Sequence, residues 1–182
     1  MRFAAILPHV GLYGGIRRFL EIGNCLVRRG HTFTIFHPGG EAPEWMAYMG
    51  DTRPLALLGA YEQDVAFCGD PGVLRHLPEC PAAVRALCVL GPRYASKYEA
   101  LHRPDFLVLG FYKDWADGVR LSGETVSGGV NLTLFKPVPD ARDRSVFRVL
   151  AFGRADKAVK GVRYAVAAVR RLRNHAVRLT LF

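Results

Sequence analysis

The sequence has no apolar run long enough to cross a bilayer. Its longest runs, such as residues 55–60, are far shorter than the roughly 20 apolar residues that a spanning helix needs. The apolar start of the chain meets Pro8 and a group of glycines too early for a signal peptide, so we interpret it as a first strand. We therefore expect a cytoplasmic protein, and a peripheral position at the inner face of the membrane stays open.

The few cysteines do not form a recognisable site. The chain has four, with no C-x-x-C pair and no histidine at zinc-ligand spacing, which excludes a redox motif and a structural zinc site. We expect free and mostly buried thiols, because unpaired cysteine is common in protein interiors. The four are Cys25, Cys68, Cys80 and Cys88.

Acidic residues are scarce at the C-terminal end of the chain. Residues 141–182 contain 11 Lys and Arg but only 2 Asp and Glu, whereas residues 1–140 contain 14 of each kind. The whole net charge of +9 therefore lies after Asp140, which marks a boundary. Such a segment is typical of nucleic-acid binding. We favour instead a solvated helix face with a small anion site.

The first 38 residues have the order strand, glycine loop, helix and strand. Apolar residues recur at helical spacing from Ile16 to Val27, and Gly30 ends the pattern. Strands are expected at residues 2–7, 32–36, 64–68, 86–90, 106–109 and 125–126, with helices around 71–76, 95–101 and 115–121. Short buried strands alternating with helices predict a doubly wound parallel sheet.

A second unit of the same kind follows a stretch rich in proline and charge, residues 136–145. It contains a strand at 146–152, a helix, and a strand at 177–182. We therefore predict an α/β fold, namely a Rossmann-like parallel sheet followed by the first β-α-β unit of a truncated second Rossmann-like domain. The boundaries are 1–138 for the first domain, 139–145 for the linker and 146–182 for the incomplete domain.

Two glycine loops are candidate anion sites. Gly14 and Gly15 lie between the first strand and the first helix, where open α/β sheets bind ligands. Arg154 follows the strand of the second unit, and Lys160 precedes its helix, so two cations and a helix N-terminus suit a diphosphate. The alternatives are that the glycines only form a tight turn and that the cations are ordinary surface charges.

The sequence lacks the nucleotide-binding motifs of other folds and shows no catalytic group of residues. The first loop is not G-x-G-x-x-G, and G-x-x-x-x-G-K-[ST] does not occur. The six histidines are scattered without visible partners, although His9 lies in the loop before Gly14. We therefore assign no catalytic residue and no metal ligand.

Three stretches together resemble a known family. They are GGIRRFLEIGNCLVRRGHTFTIF near the start, VSGGVNLTLFKP before the linker, and FGRADKAVKG in the second unit. In this order and spacing they are similar to motifs of the GT-B fold glycosyltransferases of the large retaining family four, which is typified by sucrose, glycogen and phosphatidylinositol mannoside synthases. They cover both ends of the first domain and the start of the second.

The resemblance implies a function and site residues. The first domain would be the acceptor side, and residues 146–182 would begin the donor-binding domain. Gly14 and Gly15 would lie close to the diphosphate of a nucleotide-sugar donor, and Arg154 and Lys160 would bind that diphosphate. The donor is then a substrate, with no cofactor and no metal. The partners are the nucleotide sugar and an unknown acceptor, without nucleic acid, while a peripheral membrane contact and a homodimer through 146–182 stay open.

The sequence also departs from the family pattern. Asn131 stands where the family usually has Asp, and Leu90, Gly91 and Pro92 occupy the place of its usual histidine. The acidic EX7E motif would lie beyond residue 182. We therefore expect the 182-residue chain to transfer no sugar by itself.

Two other function classes stay open at this point. One is a non-catalytic binding module whose basic C-terminal segment contacts nucleic acid or an anionic membrane. The other is an unrelated Rossmann-like enzyme that binds a nicotinamide cofactor at Gly14.

Overall fold

The first part of the chain supplies seven strands to one parallel sheet. The computed structural model describes residues 1–110, 121, 123–126, 129–137, 145–153 and 161–181. The strands are β1 (Arg2–Ile6), β2 (Thr32–His37), β3 (Asp51–Pro54), β4 (Gln63–Cys68), β5 (Ala82–Val89), β6 (Phe106–Gly110) and β7 (Glu124–Thr125). Their order across the sheet is β3-β2-β1-β4-β5-β6-β7, and every neighbouring pair is parallel.

Helices connect several of these strands. The α-helices are α1 (Gly14–Arg28), between β1 and β2, and α2 (Ala95–Leu101), between β5 and β6. Three 3₁₀ helices cover Leu55–Ala60, Leu74–Glu79 and Pro92–Tyr94. The connection from β3 to β4 contains only the first of these 3₁₀ helices, so it is short.

A separate apolar core lies on each face of the sheet. Alternate residues of β1 and of the position after it divide between them: Ala4 and Ile6 join one core, whereas Ala5 and Leu7 join the other. The first core contains side chains of the first two 3₁₀ helices and Tyr98 of α2, and the second contains the apolar side of α1. Burial on both faces is what a doubly wound sheet requires, so the predicted α/β fold class with a Rossmann-like parallel sheet is confirmed.

The structure differs from the sequence-based elements in three places. The helix expected around residues 71–76 is a 3₁₀ helix at Leu74–Glu79, which contains Pro78 and cannot continue as a regular α-helix. The third strand begins where no strand was predicted, at Asp51. The strand expected at 86–90 begins earlier, at Ala82. The helix expected at 115–121 lies mainly outside the described residues.

The second compact unit is a small β-α-β structure. The chain divides into Met1–Leu134 and Phe135–Phe182. The second part contains β8 (Phe147–Ala151), α3 (Val162–Arg171) and β9 (Val177–Leu181), and its two strands pair in parallel. The expected strand, helix and strand are thus present, while most of the expected linker lies outside the described residues. No helix in the described ranges has the length and apolar character needed to cross a bilayer.

Candidate functional site

The strand order creates a switch point beside β1. From β1 the chain moves through β2 to β3 on one side of the sheet, and it then crosses to β4 on the other side of β1. In open parallel sheets, ligands bind outside the carboxyl ends of the strands at such a point. The candidate site is therefore formed by the segments that follow β1, β4 and β5.

The N-terminus of α1 lies in the first of these segments. The first helical hydrogen bond runs from the Arg17 N–H to the Tyr13 carbonyl oxygen, at 2.8 Å. Tyr13 provides no side-chain cap, and the first turn contains no acidic residue. The N–H groups of residues 14–16 find no acceptor in the part of the chain that the structure describes. Free N–H groups and the helix dipole together attract an anion.

Gly14 and Gly15 occupy the first turn of α1 and are exposed. Neither has a positive φ, and a Cβ built on either would meet nothing within 4 Å. Neither a left-handed turn nor close packing against the described residues therefore requires glycine at these two positions. A side chain at either position would project into space that the described residues leave empty.

His9 lies on the same loop with a defined ring orientation. Its Nδ1 accepts a hydrogen bond from the Gly11 N–H at 3.0 Å, and its ring centroid is 5.1 Å from that of Tyr13. Because Nδ1 is the acceptor, the neutral imidazole carries its hydrogen on Nε2. His9 is exposed, so it presents a donor to solvent beside the helix N-terminus.

Trp45 fixes the base of this loop. Its Nε1–H donates to the carbonyl oxygen of Val10 at 2.7 Å, and Val10 itself is buried. On α1, the buried Asn24 donates to the Ala47 carbonyl oxygen at 2.9 Å and accepts from the Met49 N–H at 2.7 Å. The segment after β2 thus holds both the loop and α1 in place.

The segment after β4 brings an acidic residue to the site. Asp70 accepts the Gly72 N–H through Oδ1 at 2.7 Å, and its carbonyl oxygen accepts the N–H groups of Val73 and Leu74. Asp70 is only partly buried. Asp70 was not among the predicted site residues, although Gly-Asp-Pro-Gly directly after a buried strand is a readable signal for a turn.

Tyr98 of α2 joins the segments after β4 and β5. Its hydroxyl donates to the Gly69 carbonyl oxygen at 2.9 Å and accepts from the Leu90 N–H at 3.3 Å. The side chain is fully buried, and burial raises the pKa of Tyr98 to about 12. The hydroxyl therefore stays protonated and acts as a structural clamp, not as a proton donor to substrate.

The cysteine thiols near the site are not activated as nucleophiles. Cys68 at the end of β4 and Cys88 in β5 are both buried. Burial raises the pKa of Cys88 to about 12 and raises that of Cys68 as well. Both are therefore thiols at neutral pH. The prediction of free, mostly buried cysteines is confirmed: Cys80 is also buried, and Cys25 is half-buried.

The segment before the second unit contacts α1. Asn131 donates through Nδ2 to the Glu21 carboxylate at 3.0 Å, and its Oδ1 accepts the N–H groups of Thr133 and Leu134. Glu21 also lies 3.6 Å from the Arg17 guanidinium. Two of the stretches that carried the resemblance are therefore neighbours in space. Asn131 serves as the cap of its own turn, a role that Asp performs equally well.

The other proposed diphosphate ligands are Arg154 and Lys160. Both lie outside the described residues. The glycines that border them are described: Gly153 and Gly161 have φ angles of 143° and 68°. Gly161 is the N-cap residue of α3 in a left-handed conformation, which residues with a Cβ rarely adopt.

A polar groove of about 700 Å³ lies elsewhere on the first unit, at the amino ends of the strands. Its main charges are paired with each other: Arg53 with Asp51 at 2.6 Å, and Arg2 with Glu62 at 3.7 Å. The groove lies at the edge of the sheet opposite to α1's N-terminus, so we do not assign it to the candidate site. Among the described residues, no three His, Cys, Asp or Glu side chains group as metal ligands.

Gly69 and Gly14 allow a matched test of the site's packing. A Cβ at Gly69 would lie 2.7 Å from the Cys88 carbonyl oxygen. Gly69→Ala is therefore expected to lower the free energy of unfolding by about 1–3 kcal/mol. Gly14→Ala meets no neighbour and is expected to leave it unchanged or to raise it by up to about 1 kcal/mol. Urea denaturation of both variants measures the difference, and equal stabilities would contradict the described position of Gly69.

Comparison with known proteins assigns no family to this chain. No family model matches the chain. No curated protein matches it either.

Proposed function

We propose that this chain is part of a GT-B glycosyltransferase that transfers a sugar from a nucleotide-diphosphate donor to an acceptor with retention. In this proposal residues 1–134 form the acceptor-side domain, and residues 135–182 contain the first unit of the donor-binding domain. The proposal rests on the three motif stretches that resemble the family, together with the Rossmann-like sheet.

One structural observation carries the proposal furthest. The N-terminus of α1 stands at the switch point of the sheet with free N–H groups, no acidic residue in its first turn, and open space at Gly14 and Gly15. This combination suits a group with concentrated negative charge. The diphosphate of a nucleotide sugar has such charge, and it gains more as the bond to the sugar breaks.

The chemistry follows from these donors. N–H groups held by a helix need no reorganisation when charge develops on the leaving nucleotide, so they stabilise the transition state more than the ground state. The resemblance gives Arg154 and Lys160 the role of binding the donor diphosphate, for which a guanidinium and an ammonium group are suited. A metal ion is then not needed to neutralise the diphosphate.

The residue that ends β2 is not the acidic one expected of a nicotinamide-dependent enzyme, although the exposed carboxylate of Glu41 lies 4.0 Å from its ring. Dinucleotide-binding folds use an acidic side chain near that position to hold the ribose. Here the strand ends in His37, whose ring is 1% exposed. Its Nε2 lies 2.9 Å from the Glu41 carbonyl oxygen, and its Nδ1 accepts the Gly40 N–H at 3.4 Å. Both ring nitrogens thus serve the loop after β2.

Nucleotide titration of the purified chain tests the proposal. UDP and GDP are expected to bind weakly, equally with or without a metal chelator, as measured by calorimetry or amide chemical shifts. Gly15→Ala is expected to weaken binding at least about tenfold, because a methyl group would occupy the space in front of the N–H groups. Gly59→Ala is the matched control, since a Cβ there also meets nothing within 4 Å.

Arg154→Ala is expected to abolish the same binding. Arg173→Ala removes an exposed arginine from the same unit and controls for net charge. Nucleotide affinity that is unchanged in both Gly15→Ala and Arg154→Ala would refute the proposed diphosphate site. Equal losses in Arg154→Ala and Arg173→Ala would show a general charge effect instead.

A further inference from the structure

The loop that leads into α1 is anchored by a residue from elsewhere in the chain. We call residues 8–13 the entry loop. The Nε1–H of Trp45 donates to the Val10 carbonyl oxygen at 2.7 Å, across 35 residues of sequence. Within the part of the chain that the structure describes, no other hydrogen bond reaches residues 8–12 from outside the entry loop. Trp45 is therefore the main polar anchor of this loop.

Trp45 is itself held in place, so it can act as a fixed support. It lies in the segment 38–50, which forms neither helix nor strand. On its C-terminal side, Asn24 of α1 donates to the Ala47 carbonyl oxygen at 2.9 Å and accepts the Met49 N–H at 2.7 Å. The indole is half-buried and packs against the core that contains the apolar side of α1. The segment thus connects the middle of α1 with the loop that precedes the same helix.

The entry loop needs such a support, because it has little order of its own. Gly11 has no side chain, and its N–H bonds to the His9 ring within the same loop. Glycine also leaves the backbone more freedom than any other residue, and Gly14 and Gly15 follow directly. Yet N–H groups stabilise a developing charge best when they are held in place beforehand. An external anchor on the loop therefore bears directly on the free N–H groups at the start of α1.

We infer that Trp45 is a positioning residue for the diphosphate site. Through the Val10 carbonyl oxygen it holds the entry loop, so that the N–H groups at the start of α1 keep the arrangement that receives the diphosphate. The inference rests on the proposed function for the identity of this ligand. In a purely structural role the indole would only fill space in the core, and the hydrogen bond to Val10 would not affect ligand binding.

Trp45→Phe and Tyr48→Phe form a matched pair of variants. Trp45→Phe keeps an aromatic ring against the core and removes the N–H that the Val10 carbonyl oxygen accepts. Tyr48→Phe removes a hydroxyl from the same segment, and that hydroxyl donates to the Phe33 carbonyl oxygen in β2 at 3.1 Å. Both side chains are half-buried. Each variant thus loses one hydrogen bond to a backbone carbonyl, and only the first of these bonds ends in the entry loop.

Amide hydrogen exchange of the full chain without ligand tests the support of the loop. In Trp45→Phe the Gly11 amide is expected to exchange at least about fivefold faster, which is the factor that a hydrogen bond of ordinary strength contributes to an equilibrium. Tyr48→Phe should change this rate by less than about twofold, because its lost bond ends elsewhere. The amide of Leu20, which is fully buried in α1, reports whether each variant remains folded. Equal Gly11 exchange in the two folded variants would overturn the inference.

UDP titration of the same variants tests the effect on binding. Trp45→Phe is expected to weaken UDP binding at least about fivefold, and Tyr48→Phe by less than about twofold. If the unchanged protein binds UDP and both variants bind it equally well, the inference is overturned while the proposed function stands. If the unchanged protein binds no nucleotide, the proposed function and the ligand named here are refuted, and Gly11 exchange alone decides whether Trp45 supports the loop.

A measurement on the Trp45 indole itself does not depend on the folding of Trp45→Phe. Coupling between two equilibria is reciprocal, so a bond to Val10 that strengthens UDP binding is strengthened by UDP to the same extent. The indole N–H of Trp45 is therefore expected to exchange about fivefold more slowly at saturating UDP. Trp115→Phe removes the signal of the other tryptophan in the chain and identifies that of Trp45. An indole exchange rate that saturating UDP leaves unchanged would overturn the inference.

Discussion

Raising the pH from about 9 to about 10 is expected to lower the free energy of unfolding by up to about 3 kcal/mol. The reason is the set of three buried thiols. Burial raises the pKa of Cys80 to about 11 and that of Cys88 to about 12, and it raises the pKa of Cys68 too. In the unfolded chain all three titrate near pH 9.

The direction follows from proton binding in the two states. Below pH 9 the thiols are protonated in both states, and their contribution to stability is complete. Between pH 9 and the raised values, the unfolded chain loses protons that the folded chain keeps, so stability falls by about 1.4 kcal/mol per pH unit for each thiol. The loss ends when the pH passes the pKa values of the folded state.

Urea denaturation in reducing buffer between pH 7 and pH 10 measures this dependence. Cys88→Ala is expected to make the decline shallower by about 1.4 kcal/mol per pH unit, whatever its effect at pH 7. Cys80→Ala should have the same effect over this range, because the folded-state pKa of Cys80 is about 11. Stability that stays constant across this range would contradict the burial of these thiols.

Removing the hydroxyl of Tyr98 is expected to have the second large effect. Tyr98→Phe takes the hydrogen-bond partner from the Gly69 carbonyl oxygen and from the Leu90 N–H. Leaving buried polar groups without partners costs about 1–3 kcal/mol each, so the free energy of unfolding should fall by about that amount or more. The amide of Leu90 should also exchange its hydrogen faster.

Tyr94→Phe is the matched control for Tyr98→Phe. Tyr94 is 38% exposed, and its ring meets that of Tyr98 edge-on at 6.5 Å between centroids. This variant keeps the ring contact and loses only a partly exposed hydroxyl, so its stability should stay within about 0.5 kcal/mol of the original protein. Equal losses in both variants would argue against the clamp at Gly69 and Leu90.

Most of the sheet could be predicted from the sequence, because its strands are buried. β1, β2, β4 and β6 are rich in apolar and β-branched residues, and each of their predicted ends differs from the structure by at most one residue. β3 could not be found in this way. Its sequence, Asp-Thr-Arg-Pro, has no apolar pattern, and only pairing with β2 at the edge of the sheet defines it. Edge strands are often short and polar for this reason.

Part of the candidate site could also be predicted from the sequence, and part could not. Gly14 and Gly15 were predicted in the loop between the first strand and the first helix, and the structure has them in the first turn of α1. Their approximate position was readable because glycines between a strand and a helix are a local signal. The clamp by Tyr98 and the support by Trp45 depend on contacts between residues far apart in sequence. No periodicity records such contacts, so a single sequence does not reveal them.

The strand order also has a consequence for synthesis on the ribosome. β1 is made first, yet it lies in the interior of the sheet and pairs with β4 through residues as late as Cys68. At about 5–20 residues per second, its second neighbour emerges several seconds after it. During that delay the backbone groups on one edge of β1 have no strand to pair with, and its residues Ala4, Ala5 and Ile6, which are fully buried in the folded protein, lack part of their cover. The nascent chain thus exposes an unpaired strand edge beside apolar side chains, which is the kind of segment that chaperones bind.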